Sequence, residues 1–172
     1  PLPAATQWEI VADAAARVAP AHDELLRQAA QGELLQNDDT AVKILEWMGE
    51  RARKQVFQEG EGPKNKDGSQ RTGLFTSVVV STADGQRIAL FFSGRQHAGE
   101  NLRDVLRERS PTLTPPIHMC DALSRNVPGE LATIMANCLA HARRNFTDVY
   151  DRFPDECRHV LEALKVIYKN DA

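Results

Sequence analysis

Glu33-Leu34-Leu35-Gln36-Asn37-Asp38 carries two leucines and ends on a carboxylate, with Asp39-Thr40 directly behind it. It predicts a short strand from Glu33 to Asp38 that delivers an aspartate at its C-terminal end. A second stretch, Ile117-His118-Met119-Cys120-Asp121, alternates as a strand does and also closes on an aspartate. Two strands that each present a carboxylate at their C-terminal ends form a candidate site wherever those strands lie side by side and parallel.

Between these stretches, Leu74 to Thr82 and Gln86 to Ser93 are rich in Val, Ile, Leu and Phe, and Ala83-Asp84-Gly85 joins them. This pattern predicts an antiparallel hairpin with a tight turn. Gly99 to Arg109 sets Leu102, Val105 and Leu106 on one helical face, and Pro111, Pro115 and Pro116 end the segment. Further on, Leu131 to Asn137 reads as a third short strand, and Leu139 to Arg152 and Asp155 to Tyr168 as helices, with Pro154 opening the second.

Upstream, Thr6-Gln7-Trp8-Glu9 fits a capping box and predicts a helix start. Trp8, Val11, Ala15, Val18, Leu25 and Ala29 then recur at helical steps, with His22 in the one gap, which predicts a packing helix. Pro20 is expected to kink that helix or start a second one, and Gly32 to end it. Ala41 to Gln58 is open between a helix bearing Val42, Leu45, Met48, Ala52 and Val56 and a strand continuing to Trp47. Glu59 to Gly73 holds four glycines, a proline and many charges, and predicts a mobile loop.

The order helix, strand, hairpin, helix, strand, strand, helices predicts an α/β layer fold of the ribonuclease-H-like type, a mixed sheet with flanking helices. In that fold the first and fourth strands are parallel neighbours, so Asp38 and Asp121 would meet. Residues 1–32 read as a helical lead-in and residues 33–172 as part of one ribonuclease-H-like domain, which suits a chain of 172 residues. The chain opens on Pro1 and stops after a helical pattern, so both ends read as cuts through a longer polypeptide. No apolar run approaches the roughly 20 residues of a membrane helix. No export signal is visible, and three cysteines in such a chain predict reduced thiols in a cytosolic protein. A net charge of -3 excludes a global basic field, so any contact with nucleic acid has to be local.

Leu35-Gln36-Asn37-Asp38-Asp39-Thr40, Arg71-Thr72-Gly73, Gly94-Arg95-Gln96-His97-Ala98-Gly99-Glu100-Asn101, Met119-Cys120-Asp121 and Cys138-Leu139-Ala140-His141-Ala142-Arg143-Arg144 together resemble the large transposase of the IS66 group. The helical lead-in resembles the same proteins, so the likeness runs over nearly the whole chain. It implies a metal-dependent DDE transposase that cleaves and joins DNA strands to mobilise a bacterial insertion sequence. Its partners would be element ends and target DNA, its state a homo-oligomer, and its place the bacterial cytoplasm, with the nucleoid.

The resemblance puts the first catalytic and metal-binding aspartate on Asp38 and the second on Asp121. Here Ala122-Leu123 stands where many relatives carry a glycine and an aromatic residue. The third acid, a glutamate in an Asn-rich motif, falls beyond Ala172, so the isolated segment is expected to be inactive and to bind Mg²⁺ or Mn²⁺ weakly. Two such ions about 3.5 to 4 Å apart neutralise a phosphate, activate water and stabilise the departing oxygen, and as hard cations they require carboxylate oxygens. Without the resemblance, the favoured reading is that Asp38 and Asp39 cap a turn and Asp121 a helix. Arg95, His97, His141, Arg143 and Arg144 are candidate DNA-phosphate contacts, or else parts of a solvated face. Cys138-x-x-His141, His118-x-Cys120 and Cys157-x-His159 bring zinc to mind but compose no four-ligand spacing. Two other functions fit the same residues: a non-catalytic DNA-docking or assembly module from a decayed element, and a ribonuclease-H-like nuclease that cuts without joining.

Overall fold

A computed structural model describes residues 2–42, 68, 71 and 73–170. Helix α1 (Ala4–Ala29) leads into strand β1 (Leu34–Val42), the hairpin β2 (Leu74–Ala83) and β3 (Gln86–Gly94), and helix α2 (Ala98–Leu106). Strands β4 (Ile117–Cys120) and β5 (Ile134–Asn137) follow, then helices α3 (Leu139–Asp148) and α4 (Pro154–Asn170). One five-stranded sheet runs in the order β3-β2-β1-β4-β5. β1 pairs antiparallel with β2 and parallel with β4, and β4 pairs parallel with β5. This is the mixed sheet expected of a ribonuclease-H-like α/β fold.

The hairpin closes at Asp84 and Gly85, with φ of 49° and 75°. Two successive left-handed residues give a turn whose twist matches the strands it joins.

β1 outruns its predicted end. The sequence suggested a stop at Asp38, yet Asp39 to Val42 stay paired with Ser77 to Leu74 of β2. On its other edge, β1 pairs with β4 only from Leu34 to Gln36. Asp38 therefore marks the point where β1 parts from β4 while β2 still holds it. Ala41 and Val42 belong to β1, whereas the rest of the ambiguous stretch to Gln58 lies outside the described residues, as does the predicted loop 59–73 apart from Gly68, Arg71 and Gly73.

Alternation along the strands divides the sheet into two faces. Leu35 and Val79 point to one side, where they bury against Leu102 and Leu106 of α2. Leu90 meets Val105, Ala29 and Ala30 on the same side. Gly32 and Gly99 permit this closeness. A Cβ on Gly32 would stand 2.0 Å from Ser81 Oγ, and one on Gly99 2.3 Å from the carbonyl oxygen of Val127.

Helix α1 departs from its reading. It starts at Ala4 behind Pro3, without a side-chain cap, so Thr6 and Glu9 form no capping box. Pro20 sits inside one 26-residue helix and starts no second one. The apolar stripe does not pack along its length: Trp8 is 73% exposed and Val18 61%. Among the described residues, the C-terminal end, through Leu26, Ala29 and Ala30, is the part that reaches the core.

Candidate active site

β1 and β4 carry the two aspartates. Their register sets Leu34 beside Ile117 and Gln36 beside Met119. Continued by two residues, it brings Asp38 level with Asp121, which follows the last residue of β4. Both line one cleft of about 170 Å³, with Gln36, Val78, Val80, Met119, Cys138 and His141. Asp38 is exposed there, on the face of the sheet opposite α2.

Each carboxylate has one oxygen held from behind. Asp38 Oδ1 accepts the backbone N–H of Asp39 at 2.8 Å. Asp121 Oδ1 accepts the backbone N–H of Leu123 at 3.0 Å and the Asn126 side-chain amide at 2.6 Å. The turn that carries this arrangement puts Ala122 at φ 67°, a left-handed conformation that disfavours a Cβ. A glycine would take this backbone freely, and Ala122 adopts it at a cost.

Asp39 points the other way, and its side chain is 1% exposed. His97 Nδ1 lies 2.9 Å from its Oδ2, and an Arg125 guanidinium nitrogen 3.3 Å from its Oδ1. The His97 ring also stacks obliquely on Phe75, with centroids 4.2 Å apart. The next residues of that motif serve the same region. Glu100 pairs with Arg71 and accepts the backbone N–H of His97 at 2.8 Å, which fixes the first turn of α2. Burial raises the Glu100 pKa, but these donors outweigh it and hold the carboxyl below its ordinary range.

His118 is fully buried. Its Nε2 donates to Asn37 Oδ1 at 2.7 Å, because Asn37 Nδ2 is itself donating to the backbone oxygen of Asn126 at 2.9 Å. Burial pushes the His118 pKa below its usual value, which keeps the ring neutral. The sequence raises His118 only as half of a Cys/His pair, and gives Asn37 and Asn126 no role. Their partners lie more than 80 residues away, and no local pattern marks them.

His141 stands in the first turn of α3, directly after β5, and faces the cleft with the two aspartates. Its Nδ1 is buried without a hydrogen-bond partner among the described residues. Arg143 and Arg144 are exposed further along the same helix. Arg95 lies between β3 and α2, and its backbone oxygen accepts from Arg71.

The donor set at the cleft suits a hard cation in kind, since each aspartate keeps a second oxygen that accepts no protein hydrogen bond among the described residues. Burial first, and then the charges of Asp121 and Asp38 against an opposing backbone hydrogen bond, push the Cys120 thiol up. A protonated thiol is a poor ligand. Among the described residues no three His, Cys, Asp or Glu side chains are grouped to hold a metal ion, so the Cys/His pairs do not converge and the aspartates stand as a pair. No helix among them is long and apolar enough to cross a membrane.

No curated protein and no solved structure matches the chain. The profile of the family described as "Transposase IS66 family", of the DDE class, matches residues 1–172. With a ribonuclease-H-like sheet and an aspartate from each of its two central parallel strands at one cleft, the chain belongs to the IS66 family of transposases.

Proposed function

We propose that this chain is part of the catalytic core of an insertion-sequence transposase, in which Asp38 and Asp121 hold the divalent cations for strand cleavage and strand transfer. The observation that carries the reading is the meeting of both aspartates at one cleft, level with each other on parallel strands. Residues 33–172 form the N-terminal part of the catalytic domain, and residues 1–32 its helical lead-in.

Mg²⁺ or Mn²⁺, when bound, supplies an activated water for hydrolysis and charge stabilisation for the departing 3′ oxygen. Asp38, exposed on the open face, and Asp121, through its second oxygen, would be the residues that hold the cations. His141 reaches the scissile phosphate from the first turn of α3. Arg143, Arg144 and Arg95 engage phosphates further along the DNA as charge-assisted donors. His97 orients β1 from behind through Asp39. Two carboxylates leave most of a cation's shell to water, so these residues alone bind metal weakly and join DNA poorly, and the acting assembly is a homo-oligomer at the bacterial nucleoid.

The test is Asp121→Asn in the full transposase, read by a gel shift on element ends beside a cleavage assay. Cleavage should disappear while DNA-end binding stays nearly intact, because the lost charge organises metal and does not touch DNA. Normal cleavage by the variant would remove Asp121 from the site. Loss of both activities with a lowered melting temperature would make it a structural cap.

A further inference from the structure

We infer that Asn126 is a positioning residue that clamps Asp121, so that only Oδ2 of the carboxylate faces the cation, and that Asn37 ties this clamp to the strand bearing Asp38. The inference rests on the assignment of Asp121 as a metal ligand and adds how its carboxylate is aimed.

Asn126 is completely buried. Its Nδ2 is 2.6 Å from Asp121 Oδ1, and the Leu123 N–H reaches the same oxygen at 3.0 Å. Two donors on one oxygen fix the rotation of the carboxylate and occupy that oxygen's lone pairs. Turned over, the amide would bring its own oxygen against a carboxylate oxygen at 2.6 Å, so the orientation is determined by chemistry.

The clamp is anchored in its turn. The backbone oxygen of Asn126 accepts Asn37 Nδ2 at 2.9 Å, and His118 holds Asn37 from the far side at 2.7 Å. Asn37 immediately precedes Asp38, so a polar chain runs from the Asp121 carboxylate through Asn126 to the residue beside Asp38. Gly99 admits the helix behind it, since a Cβ there would lie 2.8 Å from the Asn126 carbonyl carbon. Such fixing matters for Mg²⁺, whose near-octahedral shell tolerates little angular error. Outer partners of metal ligands typically contribute about 10- to 100-fold to affinity or activity.

The experiment measures Mn²⁺ affinity by electron paramagnetic resonance on this chain, melting temperature alongside, and cleavage by the full transposase across a Mn²⁺ titration. Asn126→Ala should weaken Mn²⁺ binding about 10-fold or more, with cleavage recovering as Mn²⁺ is raised and the KM for DNA unchanged. Asn37→Ala removes only the anchor and should act in the same direction, more weakly. Unaltered Mn²⁺ affinity in both variants, whatever the melting temperature, would reduce Asn126 to a packing residue and overturn the inference. A metal-free arm covers the case in which Asn126→Ala does not fold. The Asn126 side-chain amide protons should be protected from exchange in the parent and lose that protection in Asp121→Ala; equal exchange in both overturns the clamp. Mn²⁺ binding that is the same in Asp121→Ala as in the parent would instead sink the metal-site assignment, with the exchange arm still deciding the clamp.

Discussion

The two faces of the sheet are built on opposite terms. On the α2 side, Leu35, Val79, Leu90, Leu102 and Val105 are buried, and the polar side chains of Asn37, Asp39 and His118 enter with hydrogen-bond or ionic partners. On the other side, one row across the strands reads Phe91, Val78, Asp38 and, by continued register, Asp121, and Phe91 is 69% exposed. Consecutive residues of β1 thus do different work. Asn37 and Asp39 secure the strand from behind, while Asp38 is presented in front. An active site on a sheet needs this division, because a carboxylate aimed at a substrate has to be held by neighbours that are not.

Mutations on the two faces should separate most sharply in stability. Leu102 is fully buried against Leu35 and Val79, so Leu102→Ala loses transfer energy and leaves a cavity, at about 3 kcal/mol. Urea unfolding of the isolated chain would register this as a lower midpoint. A loss near 0.5 kcal/mol or less would mean that α2 does not form the core.

The packed face should also sense pH. His118 is neutral and buried with a depressed pKa, whereas in the unfolded chain it titrates near about 6.5. As pH falls through that value the unfolded state takes up the proton first, so this contribution to stability is complete above about 6.5 and is lost below it. The slope should approach, without exceeding, about 1.4 kcal/mol per pH unit between about pH 6.5 and 5, before carboxylates add theirs. His118→Gln should flatten melting temperature against pH across that window. An unchanged profile in the variant would assign the dependence to another group.

The comparison also explains what the sequence made legible. The placement of Asp38 and Asp121 could be read because each closes a short strand-like run and strand order makes those runs neighbours, while their reading as a site leaned on the family resemblance. The hairpin was equally plain, since Asp84-Gly85 permits two positive φ values. The partners behind the aspartates were hidden. The bond between Asn37 and Asn126 spans 89 residues and that between His97 and Asp39 spans 58, distances over which periodicity carries no information. Helix α1 was misread for another reason: spacing reports that a stripe is apolar and cannot say whether anything covers it. The capping box at Thr6 lost to a start two residues earlier, where Gln7 donates to the backbone oxygen of Leu2. The extension of β1 past Asp38 was decided by β2, whose pairing continues to Val42.

Between the faces, at the turn after β4, a small gain is available. Ala122 holds a φ of 67°, where a Cβ meets the adjoining carbonyl oxygen. Ala122→Gly should relieve this and raise stability by about 1 kcal/mol, a net figure because glycine also gains freedom in the unfolded chain. Thermal unfolding would show a higher midpoint, and a lower one would mean that this turn takes another shape in solution.

The smallest effect belongs to the open face. Phe91 lies opposite Val78 on β2, so a core reading of its side chain would demand a loss comparable with that at Leu102. Its exposure argues otherwise: an aromatic ring that remains largely in water has little transfer energy to lose. Phe91→Ser should therefore change the unfolding free energy by no more than about 0.5 kcal/mol, the usual range for surface positions. β3 is an edge strand, and serine forms strands less readily than phenylalanine, so the sign of that small change should be destabilising. A loss of about 2 kcal/mol or more in the isolated chain would mean that something packs on this face in solution. The contrast with Leu102 would then no longer divide the sheet into a core side and an open side.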